Sequence, residues 1–166
     1  TAQHVMQSVK AIGADRVAKS LPDGYTLLMG HVGTLAVAPS VYPNLPYNPL
    51  KSFTPIAWVA RVPNVMAVHP SLPVKNVSEL VSYLKTNPGK VNYGSGGNGS
   101  AAHLATEYFK LATHTFIVHV PYRGTGLALQ DIIGGNVSMA IDSLGAYRSS
   151  IDAGSLRVLG VATSKR

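Results

Sequence analysis

Cysteine is absent from the 166 residues. Its absence excludes disulfides, thiolate metal sites and a cysteine nucleophile, and leaves the compartment open. Acids are scarce too, with seven Asp and Glu against fourteen Lys and Arg, for a formal net charge of +7. No apolar run approaches the roughly 18 residues that a bilayer-spanning helix requires. The opening TAQHVMQSVK lacks the apolar core of a signal peptide, so the chain reads as a mature protein, a fragment or a cytosolic protein. The basic excess raises the question of nucleic acid. Yet Lys10, Arg16, Lys51, Lys75, Arg123, Lys165 and Arg166 are scattered, with no basic helix and no basic-aromatic RNA motif. No nucleic-acid partner is expected.

Apolar residues make up 46% and charged residues 13%, the composition of a compact globule with a lightly charged surface. The length suits one domain with a real core or two small lobes. Helix and strand patterns alternate along it. Ser8–Lys19 reads as a helix burying Val9, Ile12 and Val17. Tyr25–Met29 reads as a short strand, and Leu35–Val41 as a short helix. Four prolines from Pro39 to Pro49 make the next stretch irregular. Phe53–Ala60 and Val65–His69 read as strands. Asn76, followed three residues later by Glu79, starts a helix to about Lys85. Then come strand Lys90–Tyr93, helix Ala101–Ala112 with Leu104, Tyr108 and Leu111 on one face, and strand Phe116–Val120. Helix Thr125–Ile133, strand Val137–Ile141, a helix to about Ala153 and strand Leu156–Ala162 complete the order. This α/β alternation predicts a mainly parallel sheet covered by helices, with ligands at the carboxyl ends of the strands. Gly30–Thr34, Gly94–Ser100, Pro121–Gly124 and Asp142–Gly145 occupy such positions.

The most informative of these is Gly94-Ser-Gly-Gly-Asn-Gly-Ser100, a glycine-rich turn from a strand into a helix start. Unpaired backbone N–H groups and the positive end of the helix dipole there favour an anion. The turn also matches G-x-G-x-x-G, the dinucleotide fingerprint. The next strand, however, ends His119-Val-Pro-Tyr-Arg123, without the acid that would hold a ribose. No histidine pairs with a carboxylate at metal-ligand spacing, so neither a metal nor a cofactor is expected. His103 lies in the first turn of the helix after the glycines, where it either points at a pocket or is a surface or capping residue. His114 and His119 read as a loop and a strand residue. The nucleophile elbow G-x-S-x-G is missing. Asp142, at a strand end, is either a cap or Asx-turn for the next helix or a pocket acceptor. It has no neighbouring acid for acid–base work.

VPNVMAVHPSLPVKNVSELVSYLKTNPGKVNYGSGGNGSAAHLA, then VHVPYRG, ALQDIIGGNVSMAID and LRVLGVATSKR, resemble the Bug family, as do IGADRVAKSLPDGYTLLMG, TLAVAPSVY and FTPIAWVA. These are substrate-binding receptors of tripartite tricarboxylate transporters. The resemblance covers nearly the whole chain from about Ile12. It implies a periplasmic-binding-protein-like fold of type II, two α/β lobes joined by crossing strands, with the first lobe incomplete. Residues 1–64 would be part of the first lobe, 65–70 a hinge strand, 71–155 the second lobe and 156–166 a return strand. It further implies a non-enzymatic periplasmic receptor that captures a small organic carboxylate and delivers it to a membrane permease. His31, Gly33 and Thr34 from the first lobe, and Ser95, Gly96, Asn98, Gly99, Ser100 and His103 from the second, would be ligand-binding, with Tyr122 and Asp142 selecting the ligand.

Compared with the family, the chain lacks an N-terminal strand and stops after the second crossing strand, as a fragment would. Gly96 stands where relatives carry a small side chain, which is expected to loosen the loop. The competing expectation is an enzyme that binds a nucleotide or acyl substrate at loop 94–100.

Overall fold

The computed structural model describes residues 12–163, and the chain divides into two compact units between Val59 and Ala60. In the first unit, helix α1 covers 12–18. The start of the expected Ser8–Lys19 helix, with Val9, lies outside the described residues. The small Ala14 is what α1 buries, while Ile12 is 58% exposed. A π-helical turn, Gly33–Val37, runs into α2 (Ala38–Val41). Tyr47 is buried and sets the local packing. Its hydroxyl donates to the Thr34 carbonyl at 2.8 Å and its ring meets Phe53 edge-on at 5.7 Å.

Two expected strands do not form in this unit. Tyr25–Met29 and Phe53–Ala60 join no ladder, and their alternating apolar side chains (Tyr25, Leu27 and Met29; Ile56 and Trp58) are exposed. Period-two patterning makes a strand only where a neighbour completes its hydrogen bonds.

The second unit is a five-stranded sheet in the order β3-β2-β4-β1-β5. Its strands are β1 (Asn64–Val68), β2 (Asn92–Ser95), β3 (Val118–Pro121), β4 (Met139–Ser143) and β5 (Arg157–Val161). β2 runs parallel to β3 and β4, whereas β1 lies antiparallel to both β4 and β5. The sheet is therefore mixed, with four strands pointing one way and β1 reversed between two of them. The expectation of a mainly parallel sheet missed this reversal, which depends on long-range pairing such as Val65 opposite Asp142 and Val161.

The period of two then sorts the core. Met66 and Val68 of β1 and Met139 and Ile141 of β4 join Leu80 and Leu84 of α3 (Val77–Thr86), with Phe109 of α4 (Ala101–Thr113) packed on them. Val65, Ala67 and Ala140 instead join Ile132 of α5 (Thr125–Ile133) and Tyr147 of α6 (Leu144–Asp152). Helices thus cover both faces. α3 starts as its sequence predicts. Asn76 Oδ1 accepts from Glu79 N at 2.9 Å, and the Glu79 carboxylate takes Lys75 N and the Asn76 amide, both at 2.7 Å. α4 buries the opposite stripe from the expected one. Ala102 and Thr106 are buried, whereas Tyr108 and Leu111 are 74% and 73% exposed.

Because β2, β3 and β4 are adjacent and point the same way, α4, α5 and α6 all begin at one edge of the sheet. Among the described residues no helix is long and apolar enough to cross a membrane.

Candidate functional site

At that edge the glycine turn folds back on itself. Gly97 (φ 106°) and Gly99 (φ 72°) occupy backbone space that a side chain strains to reach. Gly96 is needed for a different reason. A Cβ there would lie 3.2 Å from Thr125 N and 3.3 Å from Thr125 Oγ1. The loop is therefore tightly packed under the start of α5, and the loosening expected of Gly96 is absent. Ser100 caps α4, its hydroxyl accepting from His103 N at 3.2 Å. The next N–H groups, of Ala101 and Ala102, have no acceptor within the helix by its geometry.

Ser95 is wholly buried. Its hydroxyl accepts from Gly97 N at 3.1 Å, lies 3.3 Å from the Gly97 carbonyl and bonds His119 Nε2 at 2.7 Å. A serine this close to an imidazole has the spacing of a nucleophile and its base. Full burial and three engaged contacts instead make it a brace for the turn. His119 stacks on Tyr93 at 4.6 Å on one side and on His103 at 4.4 Å on the other. Burial, then charge on His103, hold the His119 imidazole down to about 4, so it is neutral over the physiological range.

His103 Nδ1 in turn accepts from Gly99 N at 3.2 Å. Behind the stack, Tyr93 donates to Glu107 at 2.6 Å, and Lys110 closes on both Glu107 oxygens at 2.8 and 2.9 Å. Burial would raise the Glu107 carboxyl, but the hydrogen bonds from Lys110 and Tyr93 outweigh it and hold the group below its usual range. The Tyr93 phenol is pushed up by burial and by Glu107.

On the other flank, Asp142 is 7% exposed. It lies within β4 rather than in the loop expected to start there. Its two oxygens take the Thr125 hydroxyl at 2.9 Å and the Ser143 N–H at 2.7 Å. Neither bond is the cap or Asx-turn expected for the next helix, whose N-cap is Ser143 without a side-chain hydrogen bond. Tyr122 donates to Asp131 at 2.5 Å, and burial followed by Asp131 pushes its phenol up to about 12.

Ser95, Gly96, Gly99, Ser100 and His103 thus form one turn with Asn98, and Gly96 links it through Thr125 to Asp142. His31, Gly33 and Thr34 belong to the first unit. There His31 Nδ1 accepts from Gly33 N at 3.0 Å, and the Thr34 hydroxyl donates to the His31 carbonyl at 3.0 Å. Sequence reasoning missed Thr125 and Glu107, and took His119 as a plain strand residue. The register that sets Tyr93 beside His119 is the signal that would have found the stack.

Residues 6–166 match the family model described as the tripartite tricarboxylate transporter family receptor. Protein BugT of Bordetella pertussis is 39% identical over 156 residues, 93% of this chain and 48% of that protein. Among solved structures, R. palustris Rpa4515 with adipate superposes with a TM-score of 0.91 at 42% identity, covering 94% of this chain and 52% of that one. The periplasmic binding protein BugD gives 0.87 at 34% identity, covering 94% and 52%. The fold is that of these periplasmic binding proteins, and the chain spans about half the length of the curated relatives it matches. The chain belongs to the tripartite tricarboxylate transporter family of receptors.

Proposed function

We propose that the chain is part of a periplasmic solute receptor that captures a small organic carboxylate without chemical turnover and delivers it to the membrane permease of its transporter. The observation that carries this reading is the Ser95–Ser100 turn. A buried strand end breaks through glycines into the capped start of α4, at the edge where α5 and α6 also begin. Backbone donors and helix dipoles aimed at one edge suit a carboxylate, and a related structure holds adipate. The buried Ser95 hydroxyl counts against the enzyme alternative.

In this reading Gly96, Asn98, Gly99 and Ser100 frame the ligand in the second unit, with His103, Tyr122 and Asp142 behind them. His31, Gly33 and Thr34 remain ligand contacts by resemblance alone. β1 and β5 serve as the crossing strands. Calorimetry with adipate, malate, citrate and acidic amino acids tests the reading, on this chain and on the full-length protein. At least one carboxylate is expected to bind, and Ser100→Pro to weaken it by removing the cap. Heat from none of them, or retention on immobilised nucleotide, overturns it.

A further inference from the structure

The stack behind the glycine turn is built in a way that simple packing does not require. Two imidazoles lie face to face at 4.4 Å, and each ends on a different member of the turn. His119 Nε2 meets Ser95 Oγ at 2.7 Å, and Ser95 Oγ takes the Gly97 N–H. His103 Nδ1 takes the Gly99 N–H. Two of the turn's backbone donors are therefore directed inward, one by each histidine. This fixes where the remaining donors of the turn point.

We propose that His103 and His119 are positioning residues for the carboxylate site, and that His103 holds the turn only while its Nδ1 carries no proton. The inference rests on the carboxylate reading for its ligand, but not for its mechanism. An imidazole accepts at Nδ1 only when that nitrogen is bare. A proton there sets two N–H groups against each other across 3.2 Å, and Gly99, a glycine at positive φ, can turn its peptide away. The two elements do not respond alike. If His119 gains a proton, Ser95 can still accept from it and send its own hydroxyl proton to the Gly97 carbonyl. Gly99 has no such alternative.

The charged and titratable groups that face the pair are Glu107 and Lys110 from α4 and Tyr93 from β2. The two rings lie face to face at 4.4 Å, so a positive charge on one opposes a positive charge on the other. A proton on His103 Nδ1 acts directly on Gly99.

The test is a pH titration of the isotope-labelled chain by NMR, following the imidazole nuclei of His103 together with the Gly97 and Gly99 amides, without ligand. The Gly99 amide is expected to move with the same midpoint as the His103 ring. In His103→Asn, whose side-chain oxygen can accept in the place of Nδ1 but does not titrate, the Gly99 shift of the neutral wild type should be kept at every pH. In His103→Phe, which keeps a ring in the stack but no acceptor, Gly99 should be displaced already at neutral pH. A Gly99 amide that stays still while the His103 ring titrates overturns the proposal, as does one that titrates unchanged in His103→Asn. Neither outcome depends on His103→Phe folding.

Adipate titrations form a separate arm. His103→Phe should lose about tenfold against the wild type, the scale of one lost hydrogen bond, and His103→Asn should recover most of that loss. If the wild type binds no tested carboxylate while Gly99 still follows His103, the carboxylate reading fails and the positioning role stands. If adipate binds equally to all three proteins, the positioning role fails and the receptor stands.

Discussion

Replacing Tyr147 with Phe should make the second unit more stable, although it deletes a polar group from a natural core. Tyr147 is wholly buried on α6, and its hydroxyl has no hydrogen-bond partner among the described residues. Burial and then the nearby Asp142 carboxylate raise the phenol, yet both Asp142 oxygens are engaged by Thr125 and Ser143. A buried hydroxyl without a partner costs roughly 1–3 kcal/mol of desolvation. Removing one oxygen leaves a void of about 10 Å³, which costs only ~0.2–0.3 kcal/mol at the usual penalty per unit volume. The balance is a gain of about 1 kcal/mol. That corresponds to a Tm higher by roughly 3–5 °C for a unit of this size.

The assay is urea and thermal unfolding followed by far-ultraviolet circular dichroism. Fluorescence is unsuitable because the single tryptophan, Trp58, lies in the first unit. A loss of stability of about 1 kcal/mol or more in Tyr147→Phe would refute the reasoning, because it would mean that the hydroxyl has a partner worth more than its desolvation.

His119 should make the protein acid-sensitive. Its folded pKa of about 4 lies below the ordinary 6.5, so its contribution is complete above pH 6.5 and is lost as pH falls toward 4. After discounting for solvent screening of a half-buried ring, about 1 kcal/mol should vanish between pH 7 and pH 5. Urea titrations of the wild type and His119→Gln should show this extra slope in the wild type alone. Gly96→Ala should cost about 1 kcal/mol, since its Cβ must displace Thr125 by a few tenths of an ångström; unchanged stability would show that α5 yields freely. Asn76→Ala should cost about 1 kcal/mol by removing the cap of α3, measurable as a lower urea midpoint with an unchanged m-value.

How far the sequence could be read depended on the distance over which each feature is decided. The start of α3 was legible because Asn76 and Glu79 settle it within one turn. The extent of α5 was legible because Gly134 and Gly135 end it. α4 was legible as a helix but not in its orientation. AAHLATEYFKLAT carries two stripes, Leu104/Tyr108/Leu111 and Ala102/Ala105/Thr106/Phe109, and only the sheet beneath it chooses between them. The anion-suited turn could be read from its glycines. What braces it could not, because His119 reaches Ser95 only through the pairing of β2 with β3. Likewise Asp142 was visible as an isolated acid, but its engagement by Thr125 needed the start of α5 brought to the end of β4.

The reversed strand, held between β4 and β5, also has a consequence in time. β1 is the first strand of its unit to be synthesised, yet both of its neighbours, β4 and β5, are the last. Its pairings close long loops, so they form late and contribute a high contact order to folding. Until then Val65-Met66-Ala67-Val68 is an uncharged, β-prone edge on a growing chain. During that interval it is open to mispairing with another copy of the chain.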